Sequence, residues 1–256
     1  MARVDVGQTL PVWIGWDPRE WHAGVVSDLS IRAHSVRAQI RRLALLELRA
    51  RSLYTRPTSL VDGRLWDDIS AAPMSTEHAI ARFFVPYLMG YQGWALFVDG
   101  DILCRANVAD LFALADDQYA VMCVQHAPIV YGGTKKTGDA QMLYPRKNWS
   151  SVVLFNCAHA ANRALDLTYL NHALGRDLHA FMWLDDAEIG ALPDRWNYLV
   201  DLHAPMPDAA IVHYTLGTPD LPGRAEQPFA DEWRARARQA GYTAPWTSDV
   251  EARMTT

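Results

Sequence analysis

Apolar and polar positions alternate along this chain in short blocks, and the blocks change period repeatedly. Pro11-Val12-Trp13-Ile14-Gly15-Trp16 is a nearly continuous apolar run closed by Asp17-Pro18, which predicts a buried strand ended by a turn. Residues 25 to about 39 carry helical spacing, with Ser27 and Asp28 as candidate N-caps. Residues 40–47 mix leucines with arginines and fit either a second strand or a helix end. Ser75-Thr76-Glu77 ahead of Ala79-Ile80-Ala81-Arg82-Phe83-Phe84 predicts a helix start with an early acid, running to about Met89. Trp94-Ala95-Leu96-Phe97-Val98, behind the turn signal Tyr91-Gln92-Gly93, is a second buried-strand pattern. Residues 120–124 and 151–155 are further short apolar strands, residues 160–174 have helical spacing, and residues 209–213 form a late strand ending in a histidine. Strands alternating with helices predict an α/β fold whose central sheet is mainly parallel and covered by helices on both faces.

The candidate chemistry lies directly behind the second of those strands. In Phe97-Val98-Asp99-Gly100-Asp101, two carboxylates follow a strand end, where open α/β sheets place their ligands, with Gly100 to let the backbone turn. Hard oxygen donors in that position suit Mg²⁺ or Mn²⁺ with coordination sites left for substrate phosphates. Asp-x-Asp by itself is equally the pattern of a solvated turn; the apolar strand in front of it separates the two readings. His213 ends its own apolar strand and reads as a core or capping residue unless the fold brings it to the carboxylates. An imidazole added to two carboxylates favours Mn²⁺ over Mg²⁺, because nitrogen is the softer donor.

Composition narrows the alternatives. Of 256 residues, 50% are hydrophobic and 21% charged, enough for a sizeable core and unlike a disordered chain. The net charge of −5 gives no global field for nucleic acid. Cys104, Cys123 and Cys157 lack metal or disulfide spacing and read as reduced core residues. Neither an apolar run of spanning length nor a signal-peptide core in residues 1–8 is found, so a soluble cytoplasmic protein is expected. G-x-G-x-x-G, Walker A and G-x-S-x-G patterns are absent, against dehydrogenase, NTPase and hydrolase readings. Between residues 32 and 64 stand eight arginines (Arg32, Arg37, Arg41, Arg42, Arg49, Arg51, Arg56 and Arg64) against Glu47 and Asp62. A solvated helix face explains such a cluster; a patch for an anionic acceptor, glycan or modified nucleic acid, is the alternative.

Five segments in order carry a resemblance to glycosyltransferases of the GT-A type, near family 8 and its bacterial and phage relatives. P-V-W-I-G-W-D-P resembles the first strand and its base-receiving turn, S-T-E-H-A-I-A-R-F-F-V-P-Y-L the helix leading to the metal strand, and F-V-D-G-D the D-x-D motif. W-L-D-D-A-E-I-G resembles the acidic segment near the donor sugar, and V-H-Y-T-L-G-T-P the C-terminal histidine motif. The resemblance implies a single GT-A, Rossmann-like domain over residues 1–256. Its nucleotide-binding half would span about 11–125, its acceptor and metal-completing half about 126–225, and its C-terminal helix about 226–240. It implies that Asp99, Asp101 and His213 hold Mn²⁺ (or Mg²⁺) against the diphosphate of a nucleotide-sugar, with UDP the expected nucleotide. Gly15, Trp16 and Asp17 would meet base and ribose, and Gly100, Gly217 and Lys147 would belong to the donor site. Arg82 would lie by Asp99 and the donor, Asp186 near the anomeric carbon, and Asn156 between donor and acceptor. Transfer with retention is implied, to an acceptor (glycan, protein, small molecule or modified nucleic acid) that the chain does not identify.

Two departures stand out. Where family 8 places a lysine after its histidine-glycine motif, this chain has Pro219-Asp220, leaving Lys135, Lys136, Lys147 or Arg224 to neutralise phosphate. The acidic motif reads Asp186-Ala187-Glu188, without the amide of the D-Q-D type. A sugar-phosphate nucleotidyltransferase is the competing enzyme, though W-D-P-R-E replaces the glycine-rich basic loop it needs; a non-catalytic nucleotide-sugar-binding module has no use for an open metal site.

Overall fold

The computed structural model describes residues 9–127 and 146–243. The loop expected at 132–139, with Lys135 and Lys136, and the N-terminal segment 1–8 lie outside the described residues. Twelve strands follow in chain order: β1 Leu10–Trp16, β2 Ala38–Ala44, β3 Thr58–Val61, β4 Arg64–Asp67, β5 Ala72–Pro73, β6 Trp94–Val98, β7 Ile102–Cys104, β8 Val121–Cys123, β9 Val152–Asn156, β10 Ile189–Ala191, β11 Tyr198–Leu199 and β12 Ile211–His213. The helices are α1 Trp21–His34, α2 Leu45–Ala50, α3 His78–Ala81, α4 Val85–Leu88, α5 Val108–Phe112, α6 Leu167–His172, α7 Gly175–His179 and α8 Ala230–Gln239.

Six strands form the central sheet in the order β10-β8-β9-β6-β1-β2. β1 runs parallel to β2 and β6, and β10 parallel to β8, while β9 is antiparallel to both its neighbours. Successive side chains of a strand face opposite ways, and both faces here are dry. Ala95 and Phe97 of β6 join one apolar cluster with Phe83 and Phe155, while Leu96 and Val98 join another with Val12, Ile14 and Ile211. That burial on both sides is why β6 reads as an unbroken apolar run. The mainly parallel α/β sheet expected from the sequence is therefore present, and residues 40–47 resolve into the end of β2 followed by α2.

A second sheet, β11-β12-β7, sets β7 antiparallel to β12. α8 packs on it through Trp233 and Ala237, beside Val26 of α1 and Leu103 of β7. A third, β3-β4-β5, was not evident in the sequence. Arg56, fully buried, is anchored there by Asp67, by the carbonyl of Leu170 at 3.0 Å and by that of Ala173 at 2.8 Å. It belongs to the core rather than to an arginine-rich surface. The helix expected from residue 77 to 89 is instead α3, a 3-10 turn Arg82–Phe84, and α4. Pro86 has no N–H to offer the carbonyl of Arg82, and its ring crowds that carbonyl, so the regular helix breaks there.

Candidate functional site

The site is assembled by strand register. β6 ends at Val98, and the Asp99 N–H donates to the Ser151 carbonyl at 2.9 Å, fixing the start of the Asp99-Gly100-Asp101 turn. β7 then leaves antiparallel to β12 with Ile102 opposite His213, and the Tyr214 N–H donates to the Asp101 carbonyl at 3.1 Å. This pairing carries a histidine from far along the chain to the carboxylates. His213 Nε2 lies 3.2 Å from Asp101 Oδ1 and 3.9 Å from Asp99 Oδ2. One ligand atom from each of the three residues falls within 4.8 Å of the others, a span one cation can bridge. Asp99 Oδ1 faces Arg82 Nη2 at 2.8 Å and His78 Nε2 at 3.3 Å, so Oδ2 is the oxygen turned toward His213. The residues present therefore suit a divalent cation.

Two glycines make this packing possible. A Cβ on Gly100 would lie 2.6 Å from the Gly15 carbonyl oxygen, so the carboxylate turn is pressed against the end of β1. A Cβ on Gly15 would lie 2.4 Å from His78 Cδ2, so Gly15 makes room for the imidazole that reaches Asp99. Burial alone would raise the Asp99 pKa, but the Arg82 guanidinium, with His78 and His213, outweighs it and holds the carboxyl well below its usual range. Burial pulls His213 down, while the Asp101 carboxylate, helped by Asp99, brings it above the ordinary imidazole value.

Asp99, Arg82 and His213 open onto a cavity of about 520 Å³. Arg82 is buried, donates to the carbonyls of Ala79 at 3.1 Å and Ser150 at 2.8 Å, and so fixes its remaining nitrogen toward Asp99. Ser150 Oγ lies 2.8 Å from His179 Nδ1; burial, with Arg82 nearby, pushes that imidazole down to about 3, so it stays neutral. Lys147 and Asn148 also line the cavity, Asn148 in the left-handed region at φ 66° with a buried Nδ2 that finds no hydrogen-bond partner. His78, His179 and Asn148 were not singled out in the sequence. Each is an isolated polar residue whose only signal is its place in the fold.

Other expected residues do not line the cavity. Asp17 is buried and already engaged: its carboxylate accepts from the Arg19 N–H at 2.9 Å, from the Arg19 guanidinium, and from the Glu77 N–H at 3.0 Å. Trp16 lies against Gly24 with Arg42 over its ring at 4.1 Å. Gly217 turns at φ 119° against Leu221, and Arg224 pairs with Asp201 at 2.6 Å. Asp186 is 93% exposed, paired with Arg146, and is not part of the cavity wall. Asn156 is a clear displacement. In antiparallel register it sits opposite Trp94, at the end of β6 remote from Asp99, where its Nδ2 donates to the Tyr119 carbonyl at 3.1 Å. The start of β9, not its end, faces the site.

No protein-family profile matches the chain. It is 40% identical over 228 residues to Protein CDI of Arabidopsis thaliana, an alignment covering 87% of this chain and 83% of that protein. Among solved structures it resembles the bifunctional glycosyltransferase WbbM in its apo form, with a TM-score of 0.59 at 16% identity over 100% of this chain and 53% of that one. The glycosyltransferase GlyE of Streptococcus pneumoniae TIGR4 gives 0.55 at 12% identity, covering 97% and 64%. The galactosyltransferase LgtC, solved with donor and acceptor sugar analogues, gives 0.53 at 12% identity, covering 90% and 96%. The chain thus spans about half of WbbM and under two thirds of GlyE. At these identities the shared property is the fold, which is of the GT-A type.

Proposed function

The chain belongs to the family of Protein CDI of Arabidopsis thaliana, and on its GT-A fold we propose a glycosyltransferase that takes a sugar from a nucleoside-diphosphate donor with a divalent cation. The observation that carries this reading is the convergence of Asp99, Asp101 and His213, two of which, Asp99 and His213, line the 520 Å³ cavity. Those three residues would hold Mn²⁺, or Mg²⁺, and the ion would supply Lewis-acid stabilisation where charge grows on the leaving diphosphate. UDP is the expected nucleotide, and transfer with retention the expected course.

The protein's own groups support that chemistry. Arg82, locked by two backbone carbonyls and turned to Asp99, would supply fixed positive charge beside the diphosphate. Lys147 lines the same cavity and would be the lysine to meet the phosphates. Ser150 and neutral His179 offer hydroxyl-recognising groups within the same wall. Asp186 and Asn156 are given no step in the reaction. Among the described residues no helix is long and apolar enough to cross a membrane, and all three cysteines are free and buried, which fits the proposed cytoplasmic site of action.

The test is nucleotide release from a panel of UDP- and GDP-sugars with Mn²⁺ present, with and without chelator, for the wild type and Asp101→Asn. Chelator-sensitive release from a UDP-sugar, absent in the variant, is expected. A folded, Mn²⁺-binding protein that releases nucleotide from no donor would overturn the reaction assignment and favour nucleotidyl transfer or simple binding.

A further inference from the structure

Asn197 is a polar residue with no solvent exposure, sitting directly ahead of β11 and outside every motif of the sequence. Its amide is fully used. Oδ1 is 3.1 Å from His213 Nδ1, and Nδ2 is 2.9 Å from Ser151 Oγ, 3.0 Å from His126 Nε2 and 3.4 Å from the Asn148 carbonyl.

An amide can be placed two ways round, and here the network selects one. The Ser151 hydroxyl donates its single proton to the Asn148 carbonyl at 2.7 Å, so toward Asn197 it presents only a lone pair. An N–H must meet that lone pair; the flipped amide would set two acceptors face to face at both Ser151 and Asn148. Oδ1 therefore faces His213, and an oxygen can receive only an Nδ1–H. With the neutral ring's proton on Nδ1, the lone pair is on Nε2, the nitrogen 3.2 Å from Asp101. The other tautomer would aim an N–H at the ion's place and oppose two acceptors at Asn197.

We infer that Asn197 is a positioning residue for the metal centre: it locks His213 in the Nδ1–H tautomer and presents Nε2 as a donor. The inference rests on the metal-dependent reading above. It also assigns Ser151 a double task, since its carbonyl takes the Asp99 N–H at 2.9 Å while its hydroxyl orients the amide behind His213. Two of the three metal ligands are thus referred to one residue directly ahead of β9.

Calorimetric titration of Mn²⁺ into the wild type, Asn197→Leu and Asn197→Asp, alongside the unfolding temperature of each metal-free protein, tests this. Outer-shell partners of metal-bound imidazoles change affinity by about 10- to 100-fold. Asn197→Leu is expected to weaken Mn²⁺ binding by about that factor, and Asn197→Asp, which keeps an oxygen on Nδ1, to restore most of it. Both variants lose the donor contacts to Ser151 and His126, so their metal-free unfolding temperatures should fall together. Equal weakening of Mn²⁺ binding in both, in step with stability, overturns the inference in favour of a purely structural asparagine. A wild type that binds no Mn²⁺ fails at the metal reading beneath it, a distinct result. Should either variant not fold, the ring nitrogens of His213 in Zn²⁺-loaded wild type, read by ¹⁵N NMR, decide the matter: a proton on Nδ1 upholds the inference and a proton on Nε2 overturns it.

Discussion

A methyl group on Gly100 would press on the Gly15 carbonyl at 2.6 Å, and backbone cannot step aside as a flexible side chain can. Gly100→Ala is therefore expected to cost about 1–3 kcal/mol of stability through overpacking and to spread the two carboxylates. Both a lower unfolding temperature and lost Mn²⁺ binding should follow; an unchanged Mn²⁺ affinity would show that the ligand spacing does not depend on this contact. Gly100 is not in the left-handed region, so close approach, and not the freedom to turn, is why glycine stands there. Arg56 gives the residue-scale contrast. Its pair with Asp67 is buried on both sides, so Arg56→Ala strands a carboxylate in the core and should cost about 3–5 kcal/mol. Arg41→Ala, exposed on β2, should stay within about 0.5 kcal/mol, and thermal unfolding of the two variants separates them. The sequence made the two aspartates and His213 legible because each sits at the end of an apolar run. His78, His179 and Asn197 carry no such local mark; only the fold tells them from ordinary polar residues.

At the scale of elements, what the hydrophobic pattern omits is direction. A strand buried on both faces reads the same along either sense of the chain, and β9 is the strand of the central sheet that runs against its neighbours. Read as parallel, its last residue, Asn156, would reach the ligand edge; read as it lies, Ser150 and Ser151 do so instead. The three-stranded β3-β4-β5 sheet was missed for a related reason: its strands are short and largely exposed, with no clean alternation. The element that sets the metal turn is β7, and beside its apolar packing on α1 a buried serine of that helix holds its backbone. Ser30 Oγ accepts the Cys104 N–H at 2.9 Å while donating to the Ser27 carbonyl at 2.8 Å, all of it buried. Ser30→Ala orphans that amide, at a cost of about 1–3 kcal/mol, or roughly 2–4 °C in unfolding temperature for each kcal/mol. Amide exchange should quicken at Cys104 before it does in β6; protection unchanged at Cys104 would mean that the Ser30 hydroxyl does not hold β7 in place.

Across the whole molecule, three buried imidazoles give stability a definite pH profile. His179 is held down to about 3 by burial with Arg82 beside it, and His126 to about 3 by burial with His203 and His213 nearby, against an ordinary value of 6.5. Above 6.5 neither state carries these protons. As the pH falls below 6.5 the unfolded chain takes up two protons that the folded chain refuses, so stability declines until about 3. His213 has the opposite sign. Its folded pKa is raised, so its contribution is complete below 6.5 and is lost as pH climbs through the folded value. Asp99 is depressed, and its contribution, present above 3.8, fades only in stronger acid, as pH falls through its lower folded value. The metal-free protein should accordingly be most stable near 6.5 and lose unfolding temperature on either side. Mn²⁺ displaces the His213 Nε2 proton, so its affinity should rise with pH through the raised pKa, and the alkaline decline should disappear in the loaded protein. Scanning calorimetry from about pH 4 to about pH 8, below the range in which the three buried thiols would ionise on unfolding, reads all of this in one series with and without Mn²⁺. An acid limb that stays flat would mean His126 and His179 take up protons in the folded state. An alkaline limb that persists with Mn²⁺ bound would mean His213 is not a ligand.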